Sequence, residues 1–200
     1  MTIYIYIITL TQGYFTESNT FTNFAQMKRI ILITGGQRSG KSVFAEEMAL
    51  NLSDNPVYIA TAHIWDDEFR KRVDRHKERR GKQWTNIEEE KLLGNILIYN
   101  KVAVIDCLTL WCTNFYFAHS NEENEPNLDE ILEEMKKEFD KFTDQDATFI
   151  FVTNEIGSGG VSDNAVQRRF TDLLGWLNQY VASKADDVYL TVSGIRVKIK

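Results

Sequence analysis

Short runs of consecutive apolar residues, each the length of one buried strand, alternate along this chain with stretches of helical spacing. Ile30-Ile31-Leu32-Ile33-Thr34, Val57-Tyr58-Ile59-Ala60-Thr61, Val102-Ala103-Val104-Ile105-Asp106 and Thr148-Phe149-Ile150-Phe151-Val152-Thr153 are four such runs. After the first, a helix is predicted from residue 43 to about 52, where Asp54-Asn55-Pro56 breaks it. A polar helical stretch follows over residues 66–80, ended by Gly81, and residues 85–88 read as a short extended piece. Residues 108–118 form a helix apolar enough to be buried, and residues 121–127 an acidic loop. Residues 128–142 are amphipathic, with Leu128, Ile131, Leu132, Met135 and Phe139 on one face, and residues 167–182 are a further helix. Residues 188–192 and 197–200 flank Ser193-Gly194 as a closing hairpin. Strands that are apolar throughout, rather than in alternation, need cover on both faces. The pattern therefore predicts an α/β fold, a mainly parallel sheet flanked by helices, with a C-terminal β-hairpin. No internal repeat or Gly/Ser/Pro linker divides it, and proline occurs only at positions 56 and 126.

Directly after the first run, Gly35-Gly36-Gln37-Arg38-Ser39-Gly40-Lys41-Ser42 reads G-x-x-x-x-G-K-S. A bare pattern of this kind also describes a glycine-rich turn with an incidental lysine, but here a strand precedes it and a helix follows. That context makes it a phosphate-binding loop (P-loop), whose backbone N–H groups surround an anion at a helix N-terminus. Gly35 and Gly40 allow positive φ and close approach of the backbone. Lys41 is expected to reach the β- and γ-phosphates, and the Ser42 hydroxyl to hold Mg²⁺. The chain is thus read as binding a nucleotide.

Composition narrows the partners. A net charge of −6 argues against a general nucleic-acid binder, which needs a basic surface to displace counterions. Residues 70–82 nevertheless hold eight of the 23 Lys and Arg, against only Asp74 and Glu78. A basic island in an acidic chain suggests an anionic ligand held in one place, although charge runs are usually solvated helix faces. Cys107 and Cys112 have no further ligand at metal spacing and read as small buried thiols of a reducing, cytoplasmic setting. No apolar stretch approaches the length of a membrane span. Residues 1–26 lack the features of a signal peptide and are expected to be an N-terminal extension, an added or mis-assigned start. The domain itself is expected to begin at residue 27, just before Lys28-Arg29 and the first strand.

Two further positions carry candidate chemistry. Asp106 ends an apolar strand, where a P-loop protein places the acid that bears on Mg²⁺ or the nucleotide; its alternative role is local, at the start of the next helix. Among the histidines, His76 would share a helix face with Arg79 and Arg80. Two guanidiniums beside an imidazole favour its neutral, nucleophilic form and would hold a triphosphate, the equipment for attack on an α-phosphorus. A histidine in a basic helix is otherwise an ordinary surface residue. His63, two residues beyond the second strand, could line the site, and His119 reads as surface.

The ordered motifs TGGQRSGKS, VYIATA, DDEFRKRVDRHKERRGKQW, VTNEIGSGGVSDN and VSGIRVKIK resemble adenosylcobinamide kinase/adenosylcobinamide-phosphate guanylyltransferase over residues 30–200. The resemblance implies a P-loop NTPase fold of RecA-like type, and a bifunctional transferase of cobalamin nucleotide-loop assembly over residues 27–200. It implies that ATP or GTP phosphorylates adenosylcobinamide and that GMP then passes from GTP through a guanylyl-histidine, giving adenosylcobinamide-GDP and pyrophosphate. In the family a histidine in an H-x-x-x-R-x-x-x-W region is guanylylated, and His76, Arg80 and Trp84 match it. Its nucleotide contacts fall on Gly35, Gly36, Gln37, Arg38, Ser39, Gly40, Lys41 and Ser42, then on Thr61, Ala62 and His63. Others fall on Lys77, Glu78, Arg79 and Arg80, and two acidic ones on Glu88 and Asp106, the latter where the family commonly has glutamate. Protomers of the family form rings, trimers among them, that complete each other's sites. The chain departs from the family pattern at Ser162, where a proline is expected after the valine, and has Arg75 beside the candidate nucleophile. Two other classes remain in view. One is a small-molecule P-loop kinase that never carries covalent GMP. The other is a GTPase-like switch, which would need an N-K-x-D element that Thr153-Asn154-Glu155 does not supply.

Overall fold

The computed structural model describes residues 28–64, 67, 70, 80–99, 101–120 and 125–200. Among them, seven strands form one sheet in the order β3-β2-β4-β5-β1-β6-β7. In chain order these are β1 (Arg29–Gly35), β2 (Val57–Ala60), β3 (Thr85–Glu88), β4 (Val102–Asp106), β5 (Thr148–Val152), β6 (Asp187–Val192) and β7 (Ile195–Lys198). All neighbours run parallel except β6 and β7, which form the antiparallel hairpin read from Ser193-Gly194. Ser193 and Gly194 both have positive φ, 52° and 82°, the geometry of a tight two-residue hairpin turn.

Among the described residues, the α-helices whose full bounds are given are α1 (Lys41–Leu52), α2 (Leu108–His119), α3 (Leu128–Thr143) and α4 (Ala165–Lys184). Helix α3 begins where hydrophobic periodicity starts it and α4 two residues earlier, each behind a capping asparagine. The Asn127 side chain accepts from the N–H groups of Asp129 and Glu130, and the Asn164 side chain from that of Gln167. The polar stretch 66–80 lies almost wholly outside the described residues, as does part of the acidic loop 121–127.

Over the inner strands both sheet faces are buried, which is why those strands carry no polar alternation, whereas the edge strands β3 and β7 are mostly exposed. Ile31, Ile33, Val104, Ile150 and Val152 meet Phe44, Ala45 and Ala49 of α1 on one face. On the other, Ile30, Leu32, Ile105, Phe149 and Phe151 meet α2, α3 and α4. Phe139 and Phe142 of α3 pack on Phe149 and Phe151 at ring distances of 5.0 Å, so the face read at Leu128, Ile131, Leu132, Met135 and Phe139 is the one that seals this layer. His119 does more than sit on the surface: one ring nitrogen lies 2.9 Å from the Phe115 carbonyl and the other 3.1 Å from Glu134, tying α2 to α3.

Cys107 and Cys112 are free and buried. Burial, aided by the Asp106 carboxylate, pushes the Cys107 thiol from 9.0 up to about 12, and burial raises that of Cys112. Above pH 9 the unfolded chain releases protons that the folded chain keeps, so this contribution to stability is full below pH 9 and is lost as pH rises towards 12. Urea unfolding between pH 9 and 10 should show stability falling by roughly 1 kcal/mol for each thiol. Cys107→Ala/Cys112→Ala should flatten that fall, and equal slopes in the two proteins would refute the assignment.

Candidate functional site

The glycine-rich loop begins where β1 ends, with β5 on one side and β6 on the other. Gly35 has φ 148°, and a Cβ there would lie 2.3 Å from the Thr191 carbonyl oxygen and 2.7 Å from its hydroxyl. Only glycine fits between strand and loop. Three tethers then fix the loop's path. The Gly194 N–H donates to the Ser39 carbonyl at 2.9 Å, the Glu155 N–H donates to the Gly35 carbonyl at 3.0 Å, and the Ser39 and Thr191 hydroxyls bond at 2.8 Å. Gly40, at φ 98°, stands at the start of α1 and brings no capping side chain, so the first-turn N–H groups face outward for an anion. Gly36, Gln37 and Arg38 are exposed at the rim, Arg38 with φ 59°.

Lys41 is buried to 7 % exposure, and its Nζ donates to the Gly36 carbonyl at 2.6 Å. Burial holds its ammonium below the usual lysine range, opposed in part by the Cys107 thiol and the Asp106 carboxylate nearby. Asp106 stands level with Ile33 through the β4–β5–β1 register, one strand removed from the loop's own strand. At ordinary strand spacing that is about 10 Å, room for a phosphate between acid and loop. The Asp106–Cys107 peptide is cis. Among the described residues no three or more His, Cys, Asp or Glu gather as a metal cage. A P-loop needs none: the Ser42 hydroxyl and the Asp106 carboxylate are hard oxygen donors, and Mg²⁺ with phosphates takes one or two such protein groups.

Around Asp106 the structure gathers Arg80 and Trp84, which the family motif picks out, with Tyr58 and Asn86, which sequence reasoning left as strand residues. The Tyr58 hydroxyl donates to Asp106 Oδ2 at 2.6 Å. Burial, and then the Asp106 carboxylate, raise the Tyr58 phenol well above its ordinary value, so it stays a neutral donor. The Arg80 guanidinium lies 3.6 Å over the Tyr58 ring centre, Trp84 meets that ring edge-on at 6.0 Å, and Arg80 Nε donates to Asn86 Oδ1 at 2.9 Å. Arg80, near the end of the basic island, is thereby held against Tyr58, and Trp84, just beyond the island, packs with Tyr58 on the sheet face that α1 covers. The one signal for Tyr58 was its position as the polar-tipped residue of a buried strand. Nothing local marks Thr191, Gly194 or the Glu155 backbone as loop partners.

Thr61 lies at the same end of the sheet, fully buried. Its hydroxyl donates to the Cys107 carbonyl at 2.8 Å and accepts from the Cys107 N–H at 2.9 Å, while Asn114 Nδ2 donates to its carbonyl at 2.7 Å. β2 ends at Ala60, one residue before the apolar run does. Ala62 is half-buried, and the exposed His63 Nδ1 lies 2.8 Å from Glu90 Oε1. Glu88 is exposed at the end of β3. His76, Lys77, Glu78 and Arg79 lie outside the described residues. What the described residues assemble is a phosphate cradle, a buried lysine, a strand-end carboxylate and a clamped arginine, parts a phosphoryl or nucleotidyl transfer uses.

A family model described as cobinamide kinase / cobinamide phosphate guanyltransferase matches residues 31–199. The chain is 35% identical over 181 residues to the bifunctional adenosylcobalamin biosynthesis protein CobU of Escherichia coli (strain K12), covering 86% of this chain and 99% of that one. It is 37% identical over 183 residues to the protein of the same name from Salmonella typhimurium, with the same coverage of each. A solved ATPase from the type III secretion system of pathogenic bacteria shares the fold, with TM-score 0.56 at 13% identity, covering 82% of this chain and 51% of that one.

The packing at Gly35 predicts a contrast between adjacent glycines. Gly35→Ala should lower the unfolding free energy by roughly 2 kcal/mol or more, from contact with Thr191 and from strain at positive φ. Gly36→Ala, where an added Cβ meets nothing within 4 Å, should cost less than about 0.5 kcal/mol. Urea denaturation of both variants measures the difference, and equal costs would mean the loop is not packed as described.

Proposed function

We propose, from the premise that this chain belongs to the cobinamide kinase / cobinamide phosphate guanyltransferase family, that it phosphorylates adenosylcobinamide and then caps the new phosphate with GMP. The observation that carries this reading is that Asp106, level with the P-loop's strand across β5, is bonded to Tyr58, which in turn holds Arg80 of the basic stretch and meets Trp84. One nucleotide site can then serve both transfers.

In the first transfer, ATP or GTP lies along Gly35–Ser42; the substrate hydroxyl oxygen bonds to the γ-phosphorus and loses its proton, the β–γ bridging bond breaks, and ADP or GDP leaves. The uncapped first turn of α1 accepts the phosphate oxygens, and Lys41, already near the loop carbonyls, turns its ammonium to the charge that builds on them. Mg²⁺, held by Ser42 and Asp106, would neutralise phosphate charge. Burial serves Lys41 here, because a cation with few water partners interacts strongly with an incoming anion.

In the second transfer His76 attacks the α-phosphorus of GTP. A nitrogen–phosphorus bond forms, the α–β bridging bond breaks, and pyrophosphate leaves while the imidazole gives up its proton. An oxygen of the substrate phosphate then attacks the same phosphorus, the nitrogen–phosphorus bond breaks, and adenosylcobinamide-GDP is released with histidine restored. His76 stands four residues before Arg80, and four residues of chain reach at most about 14 Å. Because Arg80 is pinned to Tyr58 and Asn86, the nucleophile is kept within that reach of the site's wall. Lys77, Glu78, Arg79 and Arg80 would surround the triphosphate; Ala62, His63 and Glu88 would line the nucleotide from the β2 and β3 ends. Thr61 takes part by the position it gives its neighbours, since its hydroxyl and carbonyl are engaged inside the protein.

Several features of the working enzyme belong to the same proposal: residues 1–26 as an extension to the domain at 27–200, cytoplasmic operation, and a homo-oligomeric ring such as a trimer. No helix among the described residues is long and apolar enough to cross a membrane.

Incubation with Mg²⁺ and GTP labelled at the α-phosphorus, followed by denaturing electrophoresis, tests the covalent step. The expected result is label that survives alkali, is lost in acid and is absent from His76→Ala. Lys41→Ala should lower phosphoryl transfer about 10²- to 10³-fold. Absence of label while γ-phosphoryl transfer to cobinamide proceeds would reduce the chain to a kinase.

A further inference from the structure

Tyr58 belongs neither to the phosphate loop nor to the basic stretch, yet its side chain touches both halves of the machinery. Its hydroxyl donates to Asp106 Oδ2 at 2.6 Å, and its ring lies 3.6 Å beneath the Arg80 guanidinium. Two further contacts hold that arrangement in place. Trp84 meets the ring edge-on, and Asn86, directly opposite Tyr58 in the β2–β3 register, accepts from Arg80 Nε.

The geometry leaves free the atoms that chemistry would use. A guanidinium stacked on an aromatic face is oriented without spending its in-plane N–H donors. Arg80 Nη1 is buried and has no hydrogen-bond partner among the described residues. A buried, oriented and unpartnered N–H group is costly unless an acceptor arrives, and a phosphate oxygen is such an acceptor. At the other end, the phenol occupies Asp106 Oδ2 and fixes the plane of the carboxylate that faces the P-loop.

Resting on the two-step reading above, we propose that Tyr58 is a positioning residue for both transfers through two separable parts of one side chain. Its hydroxyl sets Asp106 for phosphoryl transfer, and its ring face sets Arg80 for guanylyl transfer. Neither part touches substrate; each acts through the residue it holds.

The two parts can be removed one at a time. Tyr58→Phe keeps the ring and deletes the hydroxyl; Tyr58→Leu deletes both. Phosphoryl transfer to cobinamide and α-label uptake from GTP are measured separately, each resolved into kcat or maximal rate and KM, with thermal unfolding run on both variants. Tyr58→Phe should lower kcat of phosphoryl transfer about 10-fold while label uptake stays within about 3-fold of the parent. Tyr58→Leu should lower label uptake about 10-fold as well, so that phenylalanine rescues the second transfer and not the first. A parallel loss of both activities in Tyr58→Phe, tracking its unfolding midpoint, would overturn the proposal by making the residue purely structural. Full phosphoryl transfer in Tyr58→Phe would overturn the hydroxyl's role, and undiminished label uptake in Tyr58→Leu the ring's role. If the parent chain itself takes up no label, the guanylyl reading fails and with it the ring's role, while the phosphoryl-transfer comparison still decides the hydroxyl's.

Discussion

A glycine with no room for a Cβ governs the site. Gly35 presses its backbone onto Thr191 of β6 at the point where β1 ends, and the chain must turn there with φ at 148°. That contact requires β6 beside β1, and the tether from Glu155 requires the end of β5 on the other side. The hairpin turn closes the arrangement by giving the Gly194 N–H to Ser39. The loop is therefore shaped by three segments remote in sequence. Its own residues supply the flexibility, and the sheet removes it.

Shaping the loop this way leaves the start of α1 uncapped and Lys41 buried, both unfavourable in isolation. Helices α3 and α4 take an asparagine where α1 takes Gly40, so its first-turn donors remain for a ligand. Burial lowers the proton affinity of Lys41, and a bond to the Gly36 carbonyl offsets only part of the lost hydration. Proteins concentrate such unmet requirements where they bind charge, since the ligand satisfies them on arrival. Arg80 Nη1, buried and without a hydrogen-bond partner among the described residues, is a second instance.

Much of the fold could be read along the chain because both faces of the sheet are covered, so each inner strand is an uninterrupted apolar run. Boundaries set by local chemistry were legible too, as at Asp54-Asn55-Pro56 and Ser193-Gly194. Positions set by distant partners were not: Thr61, just past the end of β2, is held through its hydroxyl to Cys107, 46 residues away. Tyr58 read simply as a strand residue, and only the pairing of β2 with both β3 and β4 gives it Asn86 and Asp106 as neighbours. His119 read as surface because its second contact, Glu134, belongs to another helix.

The sequence by itself determined the chemistry available: a G-x-x-x-x-G-K-S loop between strand and helix, an acid ending a strand, and an ordered set of motifs that mark the family. These are local in the chain, where spacing of a few residues fixes which groups can serve one anion. Tertiary structure alone decided how those groups are held. It seated Gly35 against Thr191, placed Asp106 one strand from the loop, and laid Arg80 over Tyr58. The reason is physical. Hydrogen bonds and ring contacts act over a few ångströms, and only the packing of the sheet brings residues that are 22 to 156 positions apart within that range.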